Sequence, residues 1–88
     1  MTNEQYIQRG NLAEALLTQE TFQLVANELT QHYIQTSFNT DPLQKETRES
    51  CYFQARGLQD LIGVLNQWVA VRDQIIANSS QEEEAYED

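Results

Sequence analysis

The chain has 88 residues, a single cysteine and a formal net charge of −9, from 14 acids against 5 bases. That length allows one small domain at most, the lone thiol excludes an internal disulfide framework, and the acidic balance argues against a general phosphate-binding surface. Apolar residues make up 40% of the chain, an ordinary share for a folded protein, so wholesale disorder is not expected.

In chain order, residues 1–10 are polar apart from Tyr6 and Ile7, and Gly10-Asn11 punctuates their end. They read as an N-terminal arm or a short helical turn. Met1 to Gln5 lacks a basic region, so no signal peptide is expected. Residues 11–37 read as the first substantial helix, with Leu12, Leu16, Leu17, Leu24, Val25, Leu29, Tyr33 and Ile34 as its apolar positions. Thr18-Gln19-Glu20-Thr21 leaves two readings open, a continuous helix or a new start capped by Thr18. Ser37 to Thr40 is a polar connection, long enough only for a tight reversal between antiparallel helices.

The second helix, about Asp41 to Ala77, carries the clearest start signal. Thr40 or Asp41 can accept from the free N–H groups of the first turn, and Pro42 fits just inside a helix start. Cys51, Ala55, Leu58, Ile62, Leu65, Val69 and Ile76 then recur at spacings of four and three, the pattern of a helix packed lengthwise on another. Leu58, Ile62, Leu65 and Val69 are expected to face the first helix. Arg72 breaks the stripe; it reaches the edge, pairs with an acid such as Glu14 or Glu20, or fixes register. Gly57 and Gly63 lie inside the helix, each costing about 1 kcal/mol relative to alanine, which points to close approach of another backbone or to a bend. Asn78-Ser79-Ser80 reads as the helix end. Glu82, Glu83, Glu84, Glu87 and Asp88 lie in the acidic tail that follows, expected to be flexible over residues 79–88.

Leu61, Trp68 and Ile75 form a second apolar line beside the first, and Tyr52, Phe53, Val64 and Val71 widen the apolar circumference further. A two-helix hairpin cannot cover so broad a face, which implies an oligomer or an obligate partner. The expected interface is Leu61, Trp68, Ile75 and Arg72. The expected fold is all-α: an N-terminal arm (1–10), an antiparallel helical hairpin with a long second helix (11–78) and an acidic tail (79–88).

No catalytic, cofactor or metal site is expected. His32 has no partner at i+4, where Thr36 stands, so a helical metal pair fails. Asp60 and Asp73 are too far apart on one helix to act as an acid/base pair. A Cys51–His32 nucleophile lacks an orienting third residue and an oxyanion hole, and Cys51 on the stripe reads as a small buried hydrophobe. No apolar run approaches the roughly 18 residues of a membrane span, so no membrane partner is expected, and direct nucleic-acid binding is not expected either.

Gly10, Ala13, Leu16 and Leu17, then Phe22 and Leu29, then Thr40-Asp41-Pro42, Thr47-Arg48-Glu49, Tyr52, Ala55, Leu58 and Leu65 together resemble a loose group of small acidic helical bacteriophage proteins. The similarity covers Gly10 to Ile76. Many proteins of that group are encoded among virion-assembly genes. The resemblance implies a phage origin, a location in the virion or the host cytoplasm, and association with itself or with another phage structural protein. The leading expectation is therefore a non-enzymatic helical protein–protein interaction protein of a virion or its assembly. The alternative is an acidic inhibitor of a host defence or nucleic-acid-binding protein that mimics phosphate. The longer acidic tail departs from the group's pattern and leaves a separate tail function open.

Overall fold

A computed structural model describes the backbone of residues 1–86 and the side chains of residues 1–80. It is all-helical over those residues, with α1 at Asn3–Thr18, α2 at Glu20–Phe38 and α3 at Lys45–Tyr86. Among the described residues no helix is long and apolar enough to cross a membrane. The chain divides into two units: residues 1–17 with α3 from Gly63 onward, and residues 18–62, which hold α2 and the first part of α3.

Residues 3–10 are not an arm but the first turns of α1, which runs through Gly10-Asn11 without a break. The start is fixed by a reciprocal pair. The Gln5 N–H donates to Thr2 Oγ1 at 3.2 Å while the Thr2 N–H donates to Gln5 Oε1 at 2.9 Å. Thr2-Asn3-Glu4-Gln5 is thus a capping box, satisfying two otherwise orphaned donors. The helix stops at Thr18, and a new one begins after Gln19, whose extended backbone (φ −70°, ψ 128°) makes it the N-cap of α2 without a side-chain hydrogen bond. The break is real, but Thr18 is not its cap.

The connection from α2 to α3 is tied down by local chemistry. The Gln44 N–H donates to the Asp41 carbonyl at 3.0 Å, closing a turn with Pro42 at its second position, and the Leu43 N–H donates to Asp41 Oδ1 at 2.9 Å. Asp at the first place and Pro at the second are the residues such a turn favours. Gln44 Oε1 accepts from the Asp41 N–H, and Gln44's own carbonyl takes the first helical bond, from the Arg48 N–H. Arg48 Nη1 then donates back to the Asp41 carbonyl at 2.7 Å and to Thr40 Oγ1 at 3.3 Å. The start signal was legible, but Asp41-Pro42 builds the turn ahead of the helix, and α3 begins at Lys45.

At its other end α3 passes through Asn78-Ser79-Ser80 instead of stopping there. The side chains of residues 81–88 and the backbone of Glu87-Asp88 lie outside the described residues, and the expected flexible tail falls largely on them.

The covered positions of α3 follow the stripe. Cys51 and Leu65 are buried, as is Arg72, and Ala55, Leu58, Ile62 and Val69 are half-buried. Leu58 and Ile62 belong to the unit containing α2, Leu65 and Val69 to the unit containing α1, because of the two readings left open for residues 11–37 the structure has the broken one. Ile76 is 47% exposed, while its neighbour Ile75 is half-buried.

Gly57 and Gly63 have open space where a Cβ would stand, so the close packing expected of them is absent. Replacing either by alanine meets no steric cost and removes glycine's entropic one. Each change is expected to stabilise the chain by up to about 1 kcal/mol, readable as a higher melting temperature; a fall would mean that the face is occupied.

Candidate functional site

Within the unit formed by α1 and the later part of α3, the organising feature is a close helix–helix approach at Gly10. A Cβ there would come within 2.9 Å of both Arg72 Cδ and the Trp68 carbonyl oxygen, and closer still to Arg72 Cβ. Ala13, one turn on, is 1% exposed. Gly10 and Ala13 are the two buried residues of α1. They let the backbones meet, in the way glycine permits where chains must nearly touch.

That approach seats Arg72 against α1. Its Nη1 donates to Glu14 Oε2 at 2.7 Å and to Asn11 Oδ1 at 2.9 Å, while Nε and Nη2 both donate to Asp73 Oδ1, at 3.1 and 3.0 Å. A guanidinium has five donors in a fixed fork, and here every nitrogen is engaged. Among the described residues no buried side-chain nitrogen or oxygen lacks a partner. Of the acids weighed for Arg72, Glu14 is the one it meets, and its charge is spent inside the unit.

The pairing depresses the Glu14 carboxyl below its ordinary value, through the Arg72 hydrogen bond first and the guanidinium charge second. It raises Arg72 from a value already high, again chiefly through the Glu14 bond. A carboxylate whose folded pKa is lowered contributes stability above its unfolded pKa and loses it as pH falls through the folded one. Arg72 stays charged across that window. Wild type should therefore exceed Glu14→Gln in melting temperature above the ordinary carboxylate value of 4.5, with the two converging in acid. Parallel profiles throughout would show that the pair contributes nothing specific to pH.

Beside this network the Arg9 guanidinium lies 3.8 Å from the centre of the Trp68 ring, a cation–π contact within the favourable range. Tyr6, Arg9, Gln67, Trp68 and Val71 line a shallow hollow of about 170 Å³. Trp68 and Ile75, both expected at an interface, are half-buried in this unit, and Arg72 is buried. Of the four expected interface residues only Leu61 is exposed, at 51%.

In the other unit a more apolar groove of about 290 Å³ opens between Tyr33, Ile34 and Phe38 of α2 and Cys51, Tyr52 and Ala55 of α3. Phe38 is 84% exposed and Tyr52 59%. Cys51 is buried at its floor as a free thiol. His32 packs edge-on to Tyr33, with ring centres 5.9 Å apart. Among the described residues no group of three or more His, Cys, Asp or Glu side chains is placed to hold a metal ion.

Two features differ from the sequence expectation. Gly10 does not punctuate a segment end: Gly10-x-x-Ala13 with Leu17 is a small-residue face inside a helical period. Phe38 is not part of the connection: it closes α2 and lines the groove. Compared with known protein families, with curated proteins and with solved structures, the chain matches none.

Proposed function

We propose that this chain is a non-enzymatic helical interaction protein that works in an assembled form. One observation carries the reading: among the described residues, three apolar side chains are buried (Ala13, Cys51 and Leu65) and fourteen large ones are exposed, from Met1 to Ile76. Single exposed hydrophobes are ordinary, but clusters of them beside so small a core mark surfaces that meet another protein. In this reading α2 and the start of α3 form an antiparallel hairpin about residues 39–44, stiffened by the Arg48–Asp41 clamp, and present their outer faces to the partner. Leu61, near the end of α3's share of that unit, is a further exposed apolar side chain, 51% exposed. The virion or virion-assembly role, and with it a place in the particle or the host cytoplasm, rests on the likeness of Gly10 to Ile76 to small phage proteins.

The experiment is the melting temperature against protein concentration. For a chain stabilised by assembly, Tm rises with concentration, and each tenfold step is worth about 1.4 kcal/mol of association free energy. A constant Tm with no stable partner would end this reading. The phosphate-mimic alternative gains from one observation, that the α3 backbone is helical to Tyr86 and so passes through Glu82, Glu83 and Glu84. Deleting residues 79–88 separates the two. Assembly through the helices survives the deletion with little change in Tm, whereas binding of a basic target by the tail is lost and, in the intact chain, falls steeply with salt.

A further inference from the structure

Basic residues are scarce in this chain, 5 against 14 acids, and within residues 18–62 they are not scattered. Lys45, Arg48 and Arg56 are all on α3. At about 100° per residue, each falls within about 40° of Tyr52 around that helix. The acids of the same stretch, Glu46, Glu49 and Asp60, fall about 60–120° from Tyr52, on the side turned away from the buried Cys51. Tyr52 is one lip of the apolar groove that Ile34 and Phe38 line from α2. Leu29 to Phe38, the stretch of α2 beside it, contains no acid. An apolar groove in an acidic unit is thus bordered by cations.

Two of these cations are unspent. Lys45 Nζ stands 3.8 Å from Glu49 Oε1, so that pair is neutral. Arg48 Nη1 donates to the Asp41 carbonyl and to Thr40 Oγ1, both uncharged, while the Asp41 carboxylate takes the Leu43 N–H. Arg56 is exposed, and Asp60, four residues on, makes no ion pair with it. Among the described residues neither Arg48 nor Arg56 has a carboxylate at ion-pair distance, whereas Arg72 has two.

That charge selects an occupant. Guanidinium–carboxylate pairs are among the strongest hydrogen bonds a surface can offer, and Tyr and Arg are the side chains that dominate interface energies. Arg48 and Arg56 are eight residues apart, or about 12 Å along the helix, with Tyr52 midway. The complement is a pair of carboxylates at that spacing with an apolar side chain between them. A helix supplies it when acids stand four residues before and four after a large apolar residue, and an amphipathic helix in a groove is a recurrent mode of recognition. A second copy does not fit, because a two-fold contact sets guanidiniums against guanidiniums.

We propose that the Tyr52 face of α3 and the groove beside it dock an acidic amphipathic helix of another protein, its apolar residue in the groove and its carboxylates on Arg48 and Arg56. The proposal rests on the interaction reading above and names the chemistry of the partner.

The test is fluorescence anisotropy of the full chain with labelled, Ala-rich peptides of about 20 residues, long enough to be helical. One has a central Leu with Glu four residues to each side; the other has Lys in place of both Glu. The net charge of −9 favours the Lys peptide in any non-specific encounter, so the bland expectation runs against the proposal. The Glu peptide should bind about tenfold tighter than the Lys peptide, and added salt should narrow the gap. Arg56→Glu should weaken the Glu peptide about tenfold and strengthen the Lys peptide, a reciprocal change that a folding defect cannot produce. No binding, tighter binding of the Lys peptide, or a Glu peptide indifferent to Arg56→Glu would overturn the site. The interaction reading would survive that result if Tm still rises with concentration, and would fall with it if Tm is constant and no partner binds. A peptide of residues 79–88 that binds tighter than the Glu peptide would make this chain's own C-terminal segment the occupant and overturn the foreign helix.

Discussion

Gly10→Ala is expected to destabilise the chain by about 2 kcal/mol, against the direction in which helix propensity points. In an exposed helix interior the same change gains roughly 1 kcal/mol. Here the new methyl meets Arg72 Cβ, and lies 2.9 Å from Arg72 Cδ and from the Trp68 carbonyl. The carbonyl and Cβ belong to the α3 framework and cannot turn aside. The outer part of Arg72 is held by Glu14, Asn11 and Asp73, so it cannot swing away without breaking bonds. Overpacking of this kind costs about 1–3 kcal/mol, and in a domain of this size about 2 kcal/mol lowers Tm by roughly 8–16 °C. The contrast with Gly57→Ala and Gly63→Ala isolates the cause, since all three remove the same backbone freedom and only one adds a collision. A Gly10→Ala protein that melts higher than wild type would place α1 further from α3 than described.

Leu65→Ala is expected to cost about 2–3 kcal/mol, the lower part of the range for a buried leucine. Leu65 is 8% exposed and shares with Ala13 and Cys51 the status of buried apolar side chain among the described residues. With so few deeply covered groups around it, Leu65 gives up fewer packing contacts than a leucine in a large core, which holds the cost to the lower part of that range. A domain of 88 residues has only about 4–13 kcal/mol of stability to lose, so the change should be visible both in denaturant midpoint and in the expression of folded protein. Leu12→Ala, at a position 63% exposed, should stay within about 0.5 kcal/mol. Equal effects at the two sites would mean that the covered face of the helices has been misassigned.

The helices themselves were legible because hydrophobic period is a long-range average and survives local error. The stripe from Cys51 to Val69 marks the covered side of α3, and the Thr18–Thr21 stretch does mark a break. What failed was local and turned on three-dimensional company. Pro42 suits the first turn of a helix and the second place of a reverse turn equally, since both need the same φ; Arg48 reaching back to the Asp41 carbonyl decides between them. A glycine in a helix is consistent with either contact or open space, and the sequence does not say which. Gly57 and Gly63 proved open and Gly10 closed. Trp68 is expected at an interface because its line lies on the flank of the stripe; Arg9, which nothing in the sequence pairs with it, lies across its ring. The capping box at Thr2 to Gln5 is a pattern visible in the sequence, but it opens a segment whose polarity gives no apolar period to mark the helix behind it.

The most direct measurement is the mass of the full-length protein in solution by sedimentation equilibrium, across concentration and at low and high salt. If the exposed apolar faces of α2 and α3 are what the molecule uses, the mass is at least twice the 10.2 kDa of one chain, and added salt preserves or strengthens the association, because burial of apolar surface is not screened and the repulsion between acidic chains is. A mass of 10.2 kDa at every concentration and salt, with no protein bound stably to it, would contradict the claim that this is a chain built to assemble.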